Sequence, residues 1–146
     1  MTALTLQQAS TIVDHALEHG RTLKLKPLAV AVLDAGGHLM AFKRDERASI
    51  LRPQIAHGKA WGVLGMGFGG REMARRAAAT PAFIGALVGA SGGQLIPAPG
   101  GVLIRDSAGV IIGSVGVTGD VSEQDEACAV AGIKAAGLVS DTGDPA

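Results

Sequence analysis

Apolar positions recur at helical spacing from Thr5 to about Leu23. Leu6, Ala9, Val13, Ala16, Leu17 and Gly20 share one face, and Thr5 stands where an N-cap is expected. Pro27 to Leu33 is a continuous apolar run of strand length. The turn residues Asp34-Ala-Gly-Gly37 separate it from a second strand, His38 to Phe42, so the two read as a hairpin. Lys43 to Arg47 is a dense charged loop. A helix is expected from Ser49 or Pro53 to about Leu64, stopped by the glycines of Gly65 to Gly70. Arg71 to Ala79 suits a short helix, and Thr80-Pro81 opens another that ends near Gly89. Ser91 to Gly101 reads as irregular, with a short strand around Gln94 to Ile96. Val102 to Arg105 and Val110 to Thr118 are strands joined by the tight turn Asp106 to Gly109. Ser122-Glu-Gln-Asp125 resembles a capping box at the start of a last helix ending near Gly137. The polar tail Ser140 to Ala146 is expected to fray.

The order is α-β-β-α-α-β-β-α. Both strand pairs are joined by turns too short for a parallel crossover. The expectation is therefore an α+β sandwich, an antiparallel sheet flanked by helices, in one domain spanning 1–146. With 146 residues the chain can bury a core without disulfide or metal staples. Thirteen basic residues balance thirteen acidic ones, so no global field attracts nucleic acid or an anionic membrane. Aromatic residues number four and tyrosine is absent, which leaves no stacking platform for single strands. The single Cys128 forms no internal disulfide and reads as a packed small residue. The N-terminus has neither a basic nor an apolar leader region, and no apolar run reaches membrane length; the expectation is a cytoplasmic protein. Abundant glycine, 22 residues, with zero net charge points to extensive subunit contacts.

Gly65-Met-Gly-Phe-Gly-Gly70 matches a dinucleotide fingerprint by letters, but a helix rather than a strand is expected before it, so the context fails. His15 and His19 lie four apart on the solvent side of their helix and read as solvated, so no metal site is expected. More informative is Arg52-Pro-Gln-Ile-Ala-His-Gly-Lys-Ala-Trp61. Lys59 projects from a face of Ile55, Ala56, Gly62 and Val63, where an ammonium needs either a structural partner or a chemical task. His57 and Trp61 are neighbours on the other side and suit a pocket wall or plain packing. Arg44 and Arg52 suit carboxylate clamps, although the charged cluster Arg44 to Arg47 reads equally as a solvated loop. Near the C-terminus a strand feeds Thr118-Gly119-Asp120 and an acid-rich helix start carrying Asp125 and Glu126.

Ala29-Val-Ala-Val-Leu-Asp-Ala-Gly-Gly-His-Leu39, Lys59-Ala60, Gly100-Gly-Val-Leu-Ile104 and Gly109-Val-Ile-Ile-Gly-Ser-Val-Gly-Val-Thr-Gly-Asp120 with Glu123-Gln-Asp-Glu126 resemble the GlcG/HbpS-like family, related to the PduO C-terminal domain. The resemblance spans roughly Leu4 to Leu138. It implies a profilin-like α+β fold, homo-oligomers that are often octamers, links to haem, and a place in catabolic operons. It assigns no axial haem ligand to a residue of this chain. The chain departs from the family pattern at Lys43 to Ala48, at Leu103, and at Trp61-Gly62.

Two functions from different classes follow. The first is an oligomeric protein binding a small ligand, haem or another anionic molecule, through Arg44, Arg52, His57, Lys59, Trp61, Thr118, Gly119 and Asp125. The second is an enzyme acting on a small carboxylate, with Lys59, Asp45, Asp120 and Glu126 as titrating groups. A third reading is an accessory oligomer with no ligand. In the first two, the pocket is expected at a subunit boundary around Lys59, with Arg44–Asp45, Thr118–Asp120 and the Glu123–Glu126 helix start.

Overall fold

The computed structural model describes residues 3–144. Helix α1 (Leu6–Thr22) is closed by a capping box in which Thr5 and Gln8 each bond the other's backbone amide. Strands β1 (Ala29–Asp34) and β2 (Leu39–Arg44) form the first hairpin. Then come α2 (Arg52–Met66), α3 (Gly70–Ala79) and α4 (Pro81–Ala90), followed by β3 (Gly101–Arg105) and β4 (Ile111–Thr118). Helix α5 (Ser122–Ala135) and a short strand β5 (Val139–Asp141) complete the order. The five strands pair antiparallel in the order β2-β1-β4-β3-β5. The fold is an α+β sandwich with helices on both faces of the sheet.

The two faces are built differently. Helices α1 and α5 lie together on one face, where Ile12, Val13, Val30, Val32, Val102, Ile104, Val115, Val117 and Ile133 form the main core. On the other face several alternate positions of the same strands are small, Ala29, Ala31, Gly101 and Gly116, and α2 lies over these. Gly101 and Gly116 stand opposite each other in the sheet. A Cβ on Gly116 would overlap the carbonyl of Ala56, and one on Gly101 would lie 2.5 Å from the carbonyl oxygen of Lys59. The backbone of α2 therefore rests directly on the sheet, and the Ser114 hydroxyl fastens it by donating to the Ala60 carbonyl (2.7 Å). A smaller cluster of Met73, Ile84 and Leu95, joined by Trp61 and Phe68, holds α3 and α4.

Four expectations are corrected. Leu6 is exposed; Leu4, just before the helix, is buried in its place and reaches Gly113. Gln94 to Ile96 is no strand: Ile96 donates to the Gly58 carbonyl, so the segment runs along α2 and meets no sheet edge. Ser122 makes no capping box, because the N-cap is Val121 and the Asp125 carboxylate is used elsewhere. Ser140 and Asp141 are ordered in β5, since β3 offers them a free edge; Pro145 and Ala146 lie outside the described residues. A helix, α2, precedes the Gly65–Gly70 cluster.

Candidate functional site

Because α2 lies flat on glycines, Lys59 has no room beneath it and its side chain runs along the sheet to the end of β4. Its ammonium donates to the Val117 carbonyl (3.0 Å) and to Asp125 Oδ2 (3.3 Å). Both side chains are buried, 6% and 1% exposed. The other carboxylate oxygen of Asp125 accepts from the Asp120 amide (3.0 Å). Burial lowers the Lys59 pKa against the pull of Asp125, and the Arg52 charge lowers it further. Burial likewise raises Asp125. Asp120 turns outward and accepts from the amides of Lys26 and Val121, which hold its carboxyl below the usual range. Arg52 donates through Nη1 to the Thr118 hydroxyl (2.7 Å), and Gly119 makes the turn with φ 146°. The structure thus gathers Arg52, Lys59, Thr118, Gly119, Asp120 and Asp125 in one corner, whose centre is filled by the Lys59–Asp125 pair.

The other acidic groups expected there lie elsewhere. Glu126 turns away from Lys59 and takes a two-pronged bond from Arg71 (Nε 2.9 Å, Nη2 2.7 Å). Asp45 lines a hollow with Leu17, Arg21 and Lys26 at the C-terminal end of α1, and accepts from the Arg47 amide, which holds its carboxyl low. Arg44 folds back on its loop and donates through Nη1 to the carbonyls of Asp45, Glu46 and Ala48. Within the single chain Lys59 lines none of the principal cavities among the described residues.

A groove of about 340 Å³ lies on another side of α2. Its lining is mostly apolar: Ala31, Leu39 and Phe42 from the hairpin, with Pro53, Gln54 and His57 from the helix and Gly92 to Gln94 beyond α4. His57 is half-buried, and among the described residues neither of its ring nitrogens meets a hydrogen-bonding partner. Trp61, one turn further along α2, does not line the groove; it packs against Gly37, Gly65 and the α3–α4 cluster, the packing alternative of the two open to it. Phe42 and Leu39 were not singled out by sequence reasoning. Their meeting with His57 depends on how the hairpin and α2 share one face of the sheet, and their only sequence signal was large apolar residues on a half-exposed strand. No group of three or more metal-ligating side chains occurs among the described residues. No helix there is long and apolar enough to cross a membrane.

Solved structures share this architecture. The PduOC:heme complex superposes with a TM-score of 0.83 at 24% identity, covering 98% of this chain and 100% of that one. HbpS gives 0.78 at 25% identity over 92% and 90%. The protein ORFY of Klebsiella pneumoniae gives 0.82 at 23% over 94% and 93%. No curated protein matches the chain. The sequence model of the family described as "Haem degrading protein HbpS-like" matches residues 4–134. With nearly its whole length matched, the chain belongs to the HbpS-like family.

Proposed function

We propose that the protein binds a small, flat, largely apolar ligand, haem foremost, in the groove between the first hairpin and α2. The observation that carries this reading is the half-buried His57 imidazole on the wall of an apolar groove. An imidazole in such a place suits ligation of iron or a hydrogen bond to a ligand edge. Haem fits the residues present: Phe42, Leu39 and Pro53 offer surface to a macrocycle, and His57 offers a ligating nitrogen. When bound, haem would supply a redox-active iron. The chain's own part is to shelter the ring and direct the imidazole. Family membership and the relative named for its haem complex support the same reading.

The groove is open on its outer side, so one protomer covers only part of a macrocycle. Self-association completes the proposal, and the exposed apolar residues Ile50, Leu51 and Phe83 suit it. A second reading, acid–base catalysis on a small carboxylate, draws on the oppositely shifted Lys59–Asp125 pair. Both groups are sealed in the protomer, so binding stands first.

Titration of the purified protein with haemin, followed by visible absorption, tests the proposal. Saturable binding with a shifted main band is expected, weakened at least about tenfold in His57→Ala. An unchanged spectrum, or identical titrations of the two proteins, would count against it.

A further inference from the structure

Among the described residues, six of the eight arginines pair with carboxylates: Arg21, Arg47, Arg71, Arg75, Arg76 and Arg105. Arg44 and Arg52 do not, and the fold brings these two to the same place. Arg44 and Thr118 both stand opposite Ala29, on the strands either side of β1. Their backbones are therefore two strand spacings, about 10 Å, apart. Arg52 reaches down from α2 to bond the Thr118 hydroxyl. The next pair on the same face of the hairpin is Ala31 and Phe42, which line the apolar groove. Neither arginine is among the residues that line the groove; the register and the Thr118 bond place both at the Ala29 end of these strands, one same-face step beyond Ala31 and Phe42.

Their bonding shows what they lack. Every side-chain hydrogen bond of Arg44 and Arg52 to the described residues leaves through Nη1. The edge formed by Nε and Nη2 is unengaged in both, and that edge takes a carboxylate, sulfonate or phosphate through two parallel bonds. Arg71 uses this same edge on Glu126 within this chain.

From this we infer that Arg44 and Arg52 form an anion subsite that orients an amphiphilic ligand. Its apolar ring lies over Phe42 and Ala31, and its acidic group meets the two guanidiniums. The inference rests on the proposed groove and adds the ligand's polarity and direction. Ring compounds bearing one or two acidic groups are favoured over their neutral counterparts.

Two fluorescent probes with one ring system test it: 1-anilinonaphthalene-8-sulfonate and the uncharged N-phenyl-1-naphthylamine. The native protein is expected to bind the sulfonate at least about tenfold more tightly. Arg52→Met should collapse that preference, and Arg52→Lys should retain part of it. Arg44→Met is the second variant, and thermal melting checks that each remains folded, since Arg44 also ties its own loop. Equal affinity of the native protein for both probes would overturn the anion subsite and leave the groove standing. Binding of neither probe would overturn the anion subsite, and the haemin titration then decides the groove by itself. A preference that survives Arg52→Met and Arg44→Met would overturn the assignment to these residues.

Discussion

Lys59 and Asp125 show how a buried charge is tolerated here. Each is buried deeply enough to shift its pKa toward neutrality, and each is compensated by the other and by a backbone group, the Val117 carbonyl or the Asp120 amide. Removing one partner leaves the other charge uncompensated. Lys59→Met is therefore expected to cost about 3–5 kcal/mol in urea unfolding, and adding Asp125→Leu should restore much of it. A single variant that unfolds at the native urea concentration would show that the pair does not hold this corner. The chain made the burial of Lys59 readable, because its helix neighbours are apolar or small. It did not make the partner readable. Asp120, Asp125 and Glu126 all lie within reach of one turn, and only the path of β4 into α5 decides that Asp125 points inward while Glu126 goes to Arg71.

Among the elements, α2 governs the site because it lies directly on the sheet. Gly116→Ala would force the Ala56 carbonyl away and lift the helix, with a loss of about 3 kcal/mol or more and reduced soluble yield. Wild-type stability in that variant would mean that the helix has slack. Strand pairing and helix order were legible from turn lengths and apolar spacing, as in Asp34–Gly37 and Asp106–Gly109. The failures share a cause: long-range demand outranked local signal. Asp125 has the spacing of a capping box yet serves Lys59; Ile96 has strand character yet meets Gly58 of a helix; Ser140 and Asp141 look like a loose tail yet complete the edge of β3. The groove was hidden for the same reason, since Phe42 and His57 meet only through the tertiary fold.

At the scale of the molecule, ion pairs fasten the C-terminal segment to α3 through Asp144 and to β3 through Asp141, while Glu72 braces α3 itself. Asp144 accepts from Arg71 and Arg75, Glu72 accepts from Arg75 and Arg76, and Asp141 accepts from Arg105. The guanidinium bonds hold the Glu72 and Asp144 carboxyls below their ordinary values of 4.5 and 3.8. Such groups bind protons less readily folded than unfolded. Their contribution is fully present above those ordinary values and is lost as pH falls through the lower folded ones. Asp125 has the opposite sign, because its raised folded pKa favours the folded state as acid protonates it. Acidification from about pH 6 to about pH 3 should therefore release the tail first. Hydrogen exchange at Val139 to Asp141 should accelerate before the core amides do; simultaneous loss would refute this order. Self-association makes a separate demand. Light scattering should give a mass several times 14.6 kDa, and Ile50→Glu with Phe83→Glu should reduce it. A native protein that scatters as one chain would remove self-association from the proposal.

The seating of α2 on Gly101 and Gly116 also divides the helix by evolutionary freedom. Its lower face is bound to the sheet with no spacer, so Ala56, Lys59, Ala60 and their glycine partners cannot drift singly without moving the helix. Gln54 and His57, on the groove side, carry no such duty. Ligand choice can then change by substitution at Leu39, Phe42, Gln54, His57 and Gly92 to Gln94 while the scaffold is inherited intact. A library randomised at those positions should yield mostly folded proteins with divergent ligands, whereas one randomised at Gly101 and Gly116 should yield few that fold.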